Sequence, residues 1–249
     1  MKKKKNFGLI GASGYVAPKH MHSIREVNGN LVVAYDINDS VGIIDSYFPD
    51  ANFFTNQKKF NKFLEEFKHI DYLSICSPNH MHFSHIKFGL ENKCNIICEK
   101  PLVINLSDLD TLEKLEKKFN KKISTILQLR LHPEIIKLKN RVLKENKDYE
   151  VELTYITSRG KWYFVSWKGD EKKSGGISTN IGIHFFDLLC YLFGKIKKSY
   201  VHLREKNKCG GHIIFERAKV KWFLSIDRED LPKTAQQKPY RSLLINKKK

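Results

Sequence analysis

The chain has 249 residues, room for one large domain or two ordinary ones, and with 41% hydrophobic and 12% aromatic residues it is too apolar to be disordered. The formal charge of +18 suggests an anionic partner, but 37 of the 45 basic residues are lysines scattered through every segment, and no nucleic-acid-binding module is present. Nucleic acid is therefore not expected, while a dinucleotide or a nucleotide sugar stays compatible with the charge. Cys76, Cys94, Cys98, Cys190 and Cys209 show neither a disulfide framework nor zinc spacing, which fits reduced thiols and a cytoplasmic setting. The basic start and the apolar residues 7–17 imitate a signal peptide, but Gly8, Gly11 and Gly14 interrupt them. No run reaches the roughly 20 apolar residues of a membrane helix.

Residues 7–10 read as a buried strand, 11–14 as a turn and 15–27 as a helix. A second strand, 31–35, ends at Asp36. Residues 57–67 form an amphipathic helix, with Phe60, Phe63, Leu64 and Phe67 at helical spacing. Short buried strands at 72–76 and 95–98 flank a helix over 82–91. Ser107 is placed to cap a helix carrying Leu109, Leu112 and Leu115. A strand follows at 123–127, and Pro133 opens another helix. This alternation predicts a parallel sheet with helices on both faces. After about residue 148 the strands 151–156, 200–203, 212–215 and 220–226 follow without a helix between each pair, and one helix remains, over 179–193. The expected class is α/β: a Rossmann domain over 1–122, then an α+β substrate-binding and dimerisation domain over 123–249 with a mainly antiparallel open sheet.

The turn Gly11-Ala12-Ser13-Gly14-Tyr15-Val16 between strand and helix is of dinucleotide type, because glycines admit a pyrophosphate and the helix N-terminus supplies donors. Ser13 departs from G-x-G-x-x-G, so an ordinary strand–helix turn is the alternative. Asp36, at the end of the second strand, would accept from the ribose hydroxyls and oppose a 2′-phosphate, favouring NAD over NADP; an ordinary loop acid is its alternative. Ser77-Pro78-Asn79 with His82, and Glu99-Lys100-Pro101, follow strands at the carboxyl edge, where parallel sheets bind ligands. Lys100 there could steady an alkoxide-like oxygen, or be a surface lysine. His80, His82 and His85 have no nearby acid, and no metal is expected. In the second half, Gly175-Gly176 leads to Asn180 and His184, four apart and so on one helical face, with Asp187 a turn further on. An imidazole there can take a proton from a sugar hydroxyl, or be an ordinary core histidine.

In this order, the glycine turn, Ser77-Pro78-Asn79 with His82, Glu99-Lys100-Pro101 and the Gly-Gly…Asn180…His184…Asp187 segment resemble the glucose-fructose oxidoreductase, inositol dehydrogenase and rhizopine-catabolism superfamily, from Asn6 to about Asn246. The stretches between the motifs are similar to members that oxidise C3 of UDP-N-acetyl-glucosaminuronate with NAD, for bacterial surface polysaccharide such as lipopolysaccharide O-antigen. The resemblance implies a cofactor site of Gly11, Ser13, Gly14, Tyr15, Val16, Asp36, Ser77, Pro78, Asn79, His82, Glu99, Lys100, Gln128 and Trp167. It implies a substrate site of Lys100, Arg130, Arg159, Trp162, Tyr163, Lys168, Asn180 and His184, with Lys100 and His184 as the proton-handling pair in either role. It also implies recycling of NADH by 2-oxoglutarate, and a tetramer. Asn180 stands where the superfamily usually has Asp, and an amide takes up no proton at neutral pH, so it would orient the sugar. The resemblance further implies more sheet and a C-terminal helix beyond this chain, so an exposed sheet edge and apolar surface are expected. A related sugar or inositol dehydrogenase, or a catalytically silent NAD-binding partner, are the alternatives.

Overall fold

The computed structural model describes residues 4–67, 69–235 and 239–246; the lysines at positions 2, 3 and 247–249 lie outside the described residues. The chain divides into two compact units between Ile126 and Leu127.

The first unit holds strands β1 (Asn6–Ile10), β2 (Asn30–Tyr35), β3 (Asn52–Phe54), β4 (Tyr72–Ile75), β5 (Asn95–Cys98) and β6 (Ile123–Thr125), with helices α1 (Ala17–Glu26), α2 (Gln57–Phe67), α3 (His82–Glu91) and α4 (Ser107–Phe119). The sheet order is β3-β2-β1-β4-β5-β6, and every neighbouring pair is parallel. The chain leaves β1 toward β3 and then returns to build outward from β4. The β1–β4 boundary is therefore the point where the winding reverses, and ligands bind at such points. Period-2 alternation sends β1 to two cores. Phe7 and Leu9 pack with Ala17, Met21 and Ile24 of α1, while Ile10 joins Phe60 and Leu64 of α2, Ile86 and Leu90 of α3, and Leu112 of α4.

The second unit contains α5 (Pro133–Lys144), β7 (Tyr149–Ile156), the short helices α6 (Trp162–Val165), α7 (Glu171–Ser174) and α8 (Gly176–Asn180), then α9 (Ile183–Phe193), β8 (Ile196–Arg204), β9 (Lys208–Phe215), β10 (Ala218–Ser225) and β11 (Tyr240–Ile245). Its sheet runs β11-β7-β10-β9-β8, and β7–β10 is the one parallel pair within it. One face carries Val151, Leu153, Val220, Trp222 and Leu224 into a core with Val142 of α5 and Leu188, Leu189, Leu192 and Phe193 of α9. Glu150, Glu152, Lys219 and Lys221 alternate onto the other face and are exposed. Among the described residues no single helix is long and apolar enough to cross a membrane.

Four expectations need correction. The units part after Ile126 rather than after residue 122, because residues 123–125 pair with β5 and complete the first sheet. The strand expected over 123–127 stops at Thr125, where a 3-10 turn over residues 128–131 follows. Ser107 does not cap α4: it is already the helix's first residue, and Leu106 takes the cap position. The helix expected over 179–193 is two helices, α8 and α9, joined at Ile181–Gly182 with a 43° bend between the α7–α8 segment and α9.

Candidate active site

The carboxyl edge of the parallel sheet gathers the candidate cofactor residues of the first unit. Gly11 has φ +86, a left-handed backbone, and a Cβ there would lie 2.5 Å from the Cys76 carbonyl carbon, so only glycine lets the turn sit against the end of β4. Gly14 closes the turn, its amide donating to Gly11 O at 3.1 Å. Val16 ends the turn at the N-cap of α1, and no side chain caps that helix; Pro18, in its first turn, has no amide to satisfy. Tyr15 is exposed, as is Ser13. The buried Asp36 carboxylate accepts from the Ser13 amide through Oδ2 and from the Asn38 amide through Oδ1, both at 2.9 Å. It thereby pins the glycine turn to the end of β2. An ionised carboxylate has acceptor capacity beyond two bonds, so it can still take a ribose hydroxyl. A glycine turn, a helix start with no side-chain cap and an acid at the end of the second strand fit the phosphates and adenosine ribose of a dinucleotide.

Ser77, Pro78 and Asn79 follow β4, and Glu99 and Lys100 follow β5. His82, the first residue of α3 and fully buried, joins these loops: Nδ1 lies 2.6 Å from Pro101 O and Nε2 2.8 Å from Ser77 O. Burial lowers its pKa against the opposing pull of those two carbonyls. His85, one turn on, faces Ser77 Oγ at 2.9 Å, and burial, with the charges of His82 and His80, lowers it to about 4. These histidines are tied to the backbone and to Ser77, and no group of three or more metal-binding side chains occurs among the described residues.

Two polar residues behind this edge belong to no sequence motif. His20 lies on the buried face of α1 beside Ala17, Met21 and Ile24; Ser74 is buried in the apolar strand β4. Ser74 Oγ is 2.6 Å from His20 Nδ1, and His20 Nε2 is 3.2 Å from Glu99 Oε1. Glu99 Oε2 accepts from the Lys100 amide at 3.3 Å. Burial alone would raise the Glu99 carboxyl, but the hydrogen bond and charge of His20, with the amide and charge of Lys100, hold it below its ordinary value. A histidine at an apolar position of an amphipathic helix was the sequence signal for this network.

In the second unit the candidate substrate residues cluster around α6 to α9. Buried Tyr163 receives a hydrogen bond from Asn180 Nδ2 at 3.4 Å, and burial raises its phenol, opposed by Asn180 and the charge of Arg159. The Lys168 ammonium lies over two indoles, 5.4 Å from the Trp162 ring centroid and 5.2 Å from that of Trp167. Burial and then the Arg159 charge lower its pKa. Two cations, a buried phenol, an amide and two indoles thus converge within one unit, a set able to hold an anionic, partly apolar ligand. Asn180 ends α8 and His184 falls in the first turn of α9, so the break removes the common helical face expected for them. Arg130, in the 3-10 turn with the exposed Gln128, places its guanidinium fork on Asp187 by two hydrogen bonds. It straps that turn to α9, leaving a partial donor set for any ligand.

A doubly wound sheet with a dinucleotide-type turn, followed by a mixed-sheet unit carrying a polar cluster, defines a two-unit α/β protein of the dinucleotide-binding type. Residues 5–126 match the model of the oxidoreductase family with an NAD-binding Rossmann fold, and residues 136–213 match that family's C-terminal alpha/beta domain; the chain belongs to this family. It is similar to the WlbA (WbpB) dehydrogenase from Thermus thermophilus, solved in complex with NAD and alpha-ketoglutarate: 44% identity, TM-score 0.96, covering 98% of this chain and 81% of that one. The same dehydrogenase in complex with NAD and UDP-GlcNAcA gives 44% identity and a TM-score of 0.95 over 98% and 82% of the two chains. Among curated proteins, glucose-6-phosphate 3-dehydrogenase of Bacillus subtilis is 26% identical over 219 residues, 76% of this chain and 54% of its own length. D-glucoside 3-dehydrogenase of Escherichia coli is 26% identical over 127 residues, 50% of this chain and 36% of its own. The chain spans about half the length, or less, of these two curated relatives.

Proposed function

We propose that the protein is an NAD-dependent dehydrogenase that oxidises the C3 hydroxyl of a UDP-N-acetyl-glucosaminuronate to the 3-keto nucleotide sugar. The observation that carries this reading is the likeness, over nearly the whole chain, to a dehydrogenase solved with NAD and UDP-GlcNAcA. Gly11, Ser13, Gly14, Tyr15, Val16 and Asp36 would hold the pyrophosphate and adenosine end, and Ser77, Pro78, Asn79, His82 and Glu99 the nicotinamide end; Gln128 and Trp167 belong to the same cofactor assignment. Bound NAD supplies the hydride acceptor for the C3 hydrogen. His184 takes the C3 hydroxyl proton, and the Lys100 ammonium steadies the charge developing on that oxygen. Asn180 and Tyr163 orient the ring. Arg159 and Lys168, backed by Trp162, meet the anionic groups, and Arg130 completes the proposed substrate set. Recycling of NADH by 2-oxoglutarate, a tetrameric assembly and a role in surface-polysaccharide synthesis belong to the same reading.

The test is NADH formation by the purified chain with UDP-N-acetyl-glucosaminuronate, glucose 6-phosphate, a glucoside and myo-inositol in parallel. The nucleotide sugar is expected to give the highest kcat/KM. Preference for glucose 6-phosphate would move the protein to another sugar 3-dehydrogenase, a reading favoured by the likeness to the Bacillus subtilis enzyme. NAD binding without turnover of any sugar would make it a silent partner. His184→Ala and Lys100→Ala should each lower turnover roughly 100-fold or more while NAD affinity changes little; normal turnover in either variant removes that residue from the mechanism.

A further inference from the structure

We propose that His20 is a positioning residue: through Ser74 and Glu99 it fixes the main chain and the charge beside Lys100. The inference rests on the reading that Lys100 is the group that steadies the reacting oxygen. The geometry is a buried relay crossing three elements. His20 comes from α1, Ser74 from the middle of β4, and Glu99 from the residue after β5. A carboxylate can only accept, so His20 Nε2 donates to Glu99 Oε1 at 3.2 Å, and in the neutral ring Nδ1 accepts from the Ser74 hydroxyl at 2.6 Å. Glu99 spends its second oxygen on the amide of Lys100. Each group is oriented by the one behind it, and Lys100 is the last in the row. Burying three polar groups under a sheet edge is costly unless they are bonded, and purely apolar packing would hold α1 on β4 equally well. The arrangement makes sense as a means of keeping a negative charge next to Lys100.

The titratable and charged groups facing Glu99 are His20 from α1, Lys100 beside it, His82 from α3, and the thiols Cys76 and Cys98 at the ends of β4 and β5. His20 and Lys100 favour the ionised carboxylate, whereas burial opposes it. Without His20, Glu99 loses the largest of the effects that oppose burial and shifts toward its neutral form, so the negative charge beside Lys100 is weakened and that amine gives up its proton at lower pH.

The experiment uses the full chain without cofactor. Trace acetic anhydride labels lysines across a pH series, and mass spectrometry of the Lys100 peptide gives the pH at which that amine becomes reactive. In His20→Leu the midpoint should fall by about 1 pH unit, the scale for losing one close opposite charge. His20→Gln keeps a donor toward Glu99 and should largely restore it. In a Glu99→Gln background, His20→Leu should add no further shift. Ser74→Ala, a milder change, should move the midpoint in the same direction by less, and it serves if His20→Leu does not fold. An unmoved midpoint in a folded variant with a lowered Tm would reduce His20 to a structural role and overturn the proposal. So would an undiminished shift in the Glu99→Gln background. Full turnover in Lys100→Met would instead sink the catalytic reading of Lys100 while leaving the labelling result intact.

Discussion

At the scale of single residues, Asp36 carries the sharpest prediction. Its oxygens anchor the amides of Ser13 and Asn38, and in the proposed cofactor site its charge would oppose a 2′-phosphate. Asp36→Asn keeps one accepting oxygen and loses the charge, so the NAD-over-NADP preference should narrow on the order of tenfold with modest loss of NAD affinity. Asp36→Ala also releases the turn and should weaken both cofactors. Titration of each variant with the two cofactors checks this, and equal affinity for both in the unmutated protein would end the argument. His85 gives a pH prediction. Its folded pKa, about 4, lies below its ordinary 6.5, so the fold prefers the neutral ring. The associated stability is fully present above pH 6.5 and is lost as pH falls from there toward 4, on the order of 3 kcal/mol if the site does not rearrange. His85→Gln, able to bond Ser77 but not to titrate in this range, should lose less Tm between pH 7 and 5 than the unmutated chain; parallel melting curves across that range decide it. The placement of these residues at the sheet's carboxyl edge was legible because glycine, proline and acidic residues after buried runs mark turns at strand ends. The relay from Ser74 through His20 to Glu99 was not, since its members lie 54 and 79 residues apart and meet only when β4, α1 and the end of β5 come together.

At the scale of elements, sequence periodicity found the helices and strands that bury continuous apolar faces and missed what tertiary contacts impose. The strand β1, its partners β2 and β4, and β5 beyond β4 are short apolar runs between turn residues, and they stand where expected. The strand β3 has three residues and β11 lies after a loop, so neither offers enough period to read. The break between α8 and α9 was hidden because Ile177, Ile181, Leu188 and Leu189 continue one apolar pattern through it. The reason for the break is spatial. A Cβ on Gly182 would lie 2.4 Å from Ser178 O and 2.6 Å from Leu224 Cδ1, so the chain passes closer to α8 and β10 than any side chain allows. Gly182→Ala should therefore cost roughly 1–3 kcal/mol, the range for overpacking a well-filled site, and displace Asn180 relative to His184. A denaturant midpoint that matches the unmutated protein would show that the two helices can part without penalty.

At the scale of the whole molecule, the order of the motifs disclosed the family that both family models then matched: those of the first unit sit at strand ends, and that of the second unit runs through α8 and α9. The net charge of +18 was the feature hardest to assign, since scattered lysines look alike whether they serve solubility or attraction. The proposed substrate turns this into a measurable question. UDP-N-acetyl-glucosaminuronate carries a carboxylate in addition to its diphosphate, whereas UDP-N-acetylglucosamine carries the diphosphate alone. A strongly positive protein attracts both, and the attraction weakens as salt shortens the screening length from about 10 Å at 0.1 M to about 3 Å at 1 M. If Arg159 and Lys168 meet the anionic groups, raising the ionic strength over that range should weaken binding of the uronate on the order of tenfold, with a steeper slope than for the uncharged sugar analogue. Lys168→Met should flatten the difference between the two slopes, because its ammonium sits among aromatic rings and meets less competing water than an open surface lysine. Isothermal titration of both nucleotide sugars at several salt concentrations gives the slopes directly. Parallel slopes for the two ligands would mean that the uronate carboxylate meets no cation of this protein, and the charge would then be accounted for by solvation alone.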